Sequence, residues 1–198
     1  MRTTGRDIIE TAILALLIFM AVRGAVQNFK VEGFSMDPNL ANGQYILVDK
    51  FSYSTFGLGP LEKVLPFVDS GDDGYLFRGP RRGDVIVFRA PESPGRDFIK
   101  RVIGLPGDSI QIKEGAVLIN GQRLDEPYIT HTGTYSWPTN GSGPVTVPAG
   151  FLFVLGDNRD NSSDSHIWGL LPEENIVGRA WVTYWPFSSL GLAPNHNP

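Results

Sequence analysis

The stretch "GFSMDPNL", residues 33–40, sets a serine, a methionine and a proline just beyond an apolar N-terminal segment. Ser35 is a candidate nucleophile, and a serine acts as one only when a base takes its proton. His131 falls in a polar loop and His196 stands close to the C-terminus. His166, in "DNRDNSSDSHIWG", is the histidine with acidic neighbours, which a Ser-His-Asp triad needs to hold its imidazole tautomer. Lysine is the other candidate base. In "DFIKRVIGLPGD", strand alternation sets Phe98, Lys100 and Val102 on one face and Ile99, Arg101 and Ile103 on the other. If that first face is the core face, Lys100 is desolvated. Burial lowers a lysine pKa from ~10.4 by up to about 3 to 5 units, leaving a neutral amine near pH 7.5. At a strand end the same side chain would instead reach solvent or pair with an acid. The residues alone leave histidine and lysine both open.

Around these residues the composition excludes several chemistries. Net charge is −4, so there is no basic footprint for nucleic acid, and the absence of cysteine excludes disulfides and Cys-based zinc sites. The Asp, Asn and Ser residues of "GDNRDNSSDSHIWG" predict a polar loop held by side-chain to backbone hydrogen bonds. It is not an EF-hand calcium loop. Counted from Asp157, the positions that need Gly and Glu hold Ser162 and Trp168. "NSS" at 161–163 and "NGS" at 140–142 match the glycosylation sequon, which matters only in a eukaryotic secretory route.

The elements that must position these residues are of two kinds. The chain is apolar from Ile8 to Val22, with Glu10 near the start and Arg23 near the end. A membrane span needs about 20 such residues, reached here if Arg23 snorkels and Gly24 to Val26 are included. A cleaved secretory signal would need a small-residue site where "MAVRGAV" places an arginine. The reading is therefore an uncleaved anchor with a cytoplasmic N-terminus, since Arg2 and Arg6 precede it. Beyond residue 30 short β-type runs take over, from "QYILVDKF" and "DVIVFR" to "FLFVLG" and "IVGRAWVTYW". With 23 Gly and 15 Pro, they predict an antiparallel β architecture, a barrel or two packed sheets. Hairpin turns are predicted at Glu114-Gly115 and Asn120-Gly121. Residues 52–83 read as a long, partly apolar irregular insert, either a surface loop or a membrane-facing lip, and residues 131–144 as loop.

Taken in order, the anchor, "GFSMDPNL", "RRGDVIVF", "KRVIGLPGD", "GDNRDNSSDSHIWG" and "IVGRAWVTYWP" resemble type I signal peptidases, the membrane-anchored Ser/Lys proteases of family S26. The resemblance implies Ser35 as nucleophile and Lys100 as general base. It implies that Ser162 hydrogen-bonds the lysine amine, that Asp157 pairs with Arg101, that Asp164 is a structural acid of the polar loop, and that Met36 lines the wall beside the nucleophile. It also implies a mostly antiparallel β fold. The plan is 1–28 as anchor, 29–105 with 150–189 as catalytic β core, 106–149 as small β-rich insert, and 190–198 as tail.

Implied partners are signal peptides of exported preproteins, the lipid bilayer and the export translocon, with no nucleic acid, cofactor or metal. The implied location is single-pass in the cytoplasmic membrane, with the catalytic domain on the extracytoplasmic side and cleavage at Ala-X-Ala sites. Two positions depart from the pattern. Gly33 stands where some relatives carry a serine that donates to the oxyanion, and His166 stands where many have arginine. Two other classes of function are a non-catalytic, membrane-anchored β module and a self-cleaving Ser/Lys repressor. The repressor would need a DNA-binding domain, and the anchor and acidic charge speak against it.

Overall fold

The computed structural model describes residues 5–53, 78–93, 95–139 and 143–196. Most of the 52–83 insert therefore lies outside the described residues, as do the three residues of the "NGS" sequon. Helix α1 spans Gly5–Ala25. Within it Asp7–Ala25 is 19 residues with a mean hydropathy of 2.0, none of it buried by the rest of the chain. At ~1.5 Å per residue that helix is about as long as the hydrocarbon core of a bilayer. Helix α1 ends at Ala25, short of residue 28 where the expected anchor would end. Residues 26–28 already belong to strand β1 (Val26–Lys30), which hydrogen-bonds into the larger β-sheet.

Among the described residues every strand pairing is antiparallel, and the strands make two sheets. The larger comprises β1, β2 (Tyr45–Asp49), β3 (Val85–Arg89), β4 (Asp97–Gly104), β9 (Phe151–Leu155), β10 (Leu171–Pro172), β11 (Ile176–Trp185) and β12 (Gly191–Leu192). Its order is β1-β2-β11-β3-β4-β9-β10, with β12 pairing β11. It is open, bent by register shifts in β11 and between Val102 and Gly104 of β4. Central β3 reads Val-Ile-Val-Phe and is buried on both faces, because apolar clusters cover the sheet on each side.

The smaller sheet holds β5 (Ser109–Lys113), β6 (Ala116–Ile119), β7 (Gln122–Arg123) and β8 (Val145–Thr146). Its two tight turns are at Glu114-Gly115 and Asn120-Gly121, all four residues with positive φ, as the two-residue hairpin requires. Ile110, Ile112, Val117 and Ile119 alternate inward and pack on Ile103, Phe153 and Leu155 of the larger sheet. The two sheets thus share one core.

Of the expected tail, the described residues 190–196 are instead part of the fold. Asn195 Oδ1 accepts from Val85 N at 2.8 Å, Asn195 Nδ2 donates to Ala180 O at 2.9 Å, and His196 N donates to Gly83 O at 3.0 Å. Arg101, with 0% exposure, donates to Pro194 O at 2.7 Å and Gly83 O at 2.9 Å. Its guanidinium also makes a bidentate pair with Asp157, at 2.8 and 2.6 Å, and lies 4.0 Å from the Tyr128 ring centroid. One side chain joins β4, the 81–84 turn, the polar loop and the C-terminal segment.

Breaking a buried pair by removing one partner costs about 3–5 kcal/mol, because the remaining charge has no counterion. Arg101→Leu should therefore lower the thermal midpoint of the detergent-solubilised chain by roughly 10 °C. Arg101→Leu combined with Asp157→Leu should recover part of that loss. A double variant less stable than the sum of the singles would contradict this reading.

Candidate active site

Ser35 sits in a turn held from both sides. Gly33, at φ +91°, donates its N–H to Asn42 Oδ1 at 3.0 Å, a conformation that favours glycine. Asn158 N donates to Ser35 O at 3.0 Å, and Asn158 Nδ2 donates to Phe34 O at 3.0 Å. Met36 does not line the open cleft. It is 1% exposed and packs with Val31, Leu40 and Ile46, so it anchors the turn from below.

Lys100 reaches this turn from β4. It is 4% exposed, and its Nζ donates to Ser35 Oγ at 2.7 Å and to Ile99 O at 2.9 Å. The Phe98 ring centroid is 5.4 Å from the amine. Desolvation pushes the Lys100 pKa down from 10.5 to about 8, against the opposing charges of Asp164 and Asp157. A neutral amine at this distance can take the serine proton, the step that turns a hydroxyl into a nucleophile. Among the three histidines, His166 bonds Asp164, His196 packs beside Tyr128, and His131 is exposed in its loop.

The polar loop packs behind the pair. Asp164 caps α2 (Ser165–Trp168), accepting from His166 N at 3.2 Å, from Gly156 N at 2.9 Å and from His166 Nδ1 at 2.6 Å. Gly156 is there because nothing larger fits. A Cβ at that position would lie 2.2 Å from Ser162 Oγ and 2.5 Å from Ser35 O. The bond from Ser162 to the lysine amine is not made. The buried Ser162 Oγ has no hydrogen-bond partner, and the Ile99 carbonyl holds the amine instead.

Sequence reading missed Gly156, Asn158, Asn42 and the Ile99 carbonyl. Only the "GDNRD" context hinted at the first two. No group of three or more His, Asp or Glu among the described residues is arranged to hold a metal ion.

A cleft of about 380 Å³ opens in front of Ser35 and Lys100. One wall is the segment 29–35 and the other is Asp97–Lys100, with Asn161 and Ser163 at one side. On β4, residues 101–104 pair with β9, whereas 97–100 pair only with β3. The edge of 97–100 that faces away from β3 carries no strand among the described residues.

Comparison with known proteins decides the family. The profile described as "Signal peptidase, peptidase S26" matches residues 5–185. Signal peptidase I of Leptolyngbya laminosa is 48% identical over 145 residues, covering 67% of this chain and 69% of the relative. A probable signal peptidase I of Synechocystis is 34% identical over 195 residues, covering 96% and 77%. Signal peptidase IB of Staphylococcus aureus is 32% identical over 204 residues, covering 96% and 93%.

The chain belongs to the S26 signal peptidase family.

As a bacterial type I signal peptidase it is a serine endopeptidase that cleaves signal peptides from exported preproteins. The depressed lysine makes the stability of this signal peptidase depend on pH. Between about 8 and 10.5 the unfolded chain holds a proton on Lys100 that the folded chain has released, so stability rises with pH through that window. The gain is about 3 kcal/mol, complete above 10.5 and lost as pH falls through about 8. The fraction of neutral Lys100 amine rises across the same lower limit. The kcat/KM profile should climb with a midpoint at about pH 8. A limb near ~6.5 that vanishes in His166→Ala would assign the base to histidine instead.

Proposed function

We propose that this enzyme cleaves by a Ser35/Lys100 dyad, at Ala-X-Ala sites, as a membrane-anchored protease working on the extracytoplasmic side of the cytoplasmic membrane. The observation that carries the dyad is the 2.7 Å contact of a buried lysine amine with Ser35 Oγ. Ser162 Oγ, buried and unpaired beside Gly156, is the hydroxyl available to orient the amine once substrate enters. Asp157 holds Arg101, the residue next to the base, and Asp164 holds the Gly156 amide behind Ser35. Gly33 supplies no hydroxyl, so the oxyanion rests on the Ser35 backbone N–H with a further amide or water.

Several features support a membrane setting. Helix α1 has the length and apolarity of a span. Only about nine residues separate its end from Ser35, a reach of at most ~30 Å when extended, so the nucleophile stays near the bilayer surface. Trp181, Trp185, Phe187, Leu190 and Leu192 are exposed on β11 and the segment after it, the kind of aromatic surface that favours a membrane interface. A signal peptide emerging from the bilayer or the export translocon would meet the cleft there.

Substrate choice follows from the unpaired edge of 97–100. An extended peptide can add to that edge, and its alternate side chains then point into the enzyme. The first and third residues before the cut fill small apolar pockets, while the second faces out.

The test incubates detergent-solubilised enzyme with an exported precursor. Ser35→Ala and Lys100→Ala should each lower cleavage by more than about a thousandfold without unfolding the chain. Ser162→Ala should lower kcat more than it raises KM. In the precursor, Ala to Phe at either pocket-facing position should block cleavage, and Phe between them should be tolerated. Turnover by folded Lys100→Ala would remove lysine from the mechanism, and equal tolerance at all three precursor positions would remove the strand-addition model.

A further inference from the structure

We propose that His166 is a positioning residue for the cleavage reaction, holding through Asp164 the backbone against which Ser35 is seated. The inference rests on the Ser35/Lys100 reading above. His166 Nδ1 lies 2.6 Å from Asp164 Oδ1, and the other carboxylate oxygen accepts from Gly156 N at 2.9 Å. Gly156 is packed so closely on Ser35 and Ser162 that no Cβ could stand between them. A change in the Asp164 carboxylate therefore acts on the Gly156 amide, and Gly156 packs directly against the Ser35 carbonyl and the Ser162 side chain.

The imidazole is itself held. Its ring stacks on Tyr135 with centroids 4.1 Å apart and planes at 20°, and the His166 side chain is 18% exposed. Tyr135 belongs to the segment that runs along the small sheet, and its backbone carbonyl accepts from Gly115 N at 2.8 Å. A continuous line of contacts thus runs from the β-rich insert through Tyr135, His166, Asp164 and Gly156 to Ser35. The 2.6 Å contact fits a proton on Nδ1 that is donated to the carboxylate.

Charge gives the arrangement a second consequence. The Asp164 carboxylate is the foremost opposing charge on the Lys100 amine, with Asp157 behind it. Around the stacked ring stand Asp164, the Tyr135 hydroxyl and, near that tyrosine, Arg159, Glu126 and Asp160. Tyr135 stays protonated, since burial raises its pKa. A permanent cation at position 166 would offset the Asp164 charge and release the Lys100 proton more easily. Loss of the imidazole donor would leave that charge less compensated.

The experiment measures kcat, KM and the pH profile of full-length enzyme in detergent for His166→Ala, His166→Asn and His166→Arg, with Lys100→Ala as control and melting curves for all. Asparagine can place an amide N–H near the Nδ1 position, so it should retain activity within about threefold and keep the wild-type limb. Alanine should lower kcat by up to about a hundredfold with little change in KM, and shift the limb to higher pH. Arginine should shift the limb to lower pH.

Variants that melt earlier yet share the wild-type kcat and limb would reduce His166 to a helix-end contact and overturn the proposal. An alanine variant that asparagine does not surpass would overturn it as well. With Lys100→Ala inactive, either failure leaves the dyad standing. An active Lys100→Ala would remove both readings.

Discussion

The site depends on the ion pair between Arg101 and Asp157. Arginine cannot shed its proton in a protein, so a fully buried guanidinium is tolerable only when its donors are matched. Here the carboxylate takes two donors, the carbonyls of Gly83 and Pro194 take others, and the Tyr128 ring covers one face. Asn39 Nδ2 donates to the same carboxylate at 2.8 Å and to Tyr128 O at 2.6 Å. Asp157 opens the polar loop next to Gly156, so this pair fixes the loop against β4.

The neighbour on that strand meets burial in the opposite way. Among the described residues, Lys100 has no carboxylate within hydrogen-bonding distance, only a hydroxyl and a carbonyl. A lysine can answer desolvation by losing its proton, and that is the property a general base needs. Two consecutive buried cationic side chains therefore have different fates. One is paired and remains charged. The other is unpaired and becomes neutral at a pH the enzyme can work in. Strand alternation explains how adjacent residues reach such different surroundings.

Much of this was legible in the sequence because it is local. Glu114-Gly115 and Asn120-Gly121 announce their turns through backbone conformation alone, and both hairpins form. The apolar neighbours of Lys100 on its own strand gave the physical reason for a depressed pKa. The rest depends on approach between distant segments. Gly156 is required because Ser35 and Ser162 close on it, a packing demand at which its "GDNRD" context only hints. The family resemblance implies Met36 as a wall of the site, yet the turn directs it into the core with Ile46 and Val31. The segment after residue 190 looks like a tail because it is short and rich in proline and asparagine. Its fastening comes from an asparagine and a carbonyl meeting groups more than eighty residues away.

The central claim is that Lys100 sheds its proton beside Ser35 near the working pH. The direct measurement is a titration of the Lys100 side-chain nitrogen by NMR, in full-length enzyme labelled with 15N-lysine, the signal assigned by its loss in Lys100→Met. The account predicts a midpoint at about 8. A midpoint at the ordinary lysine value of 10.5 would mean a charged amine beside the serine, and would contradict it.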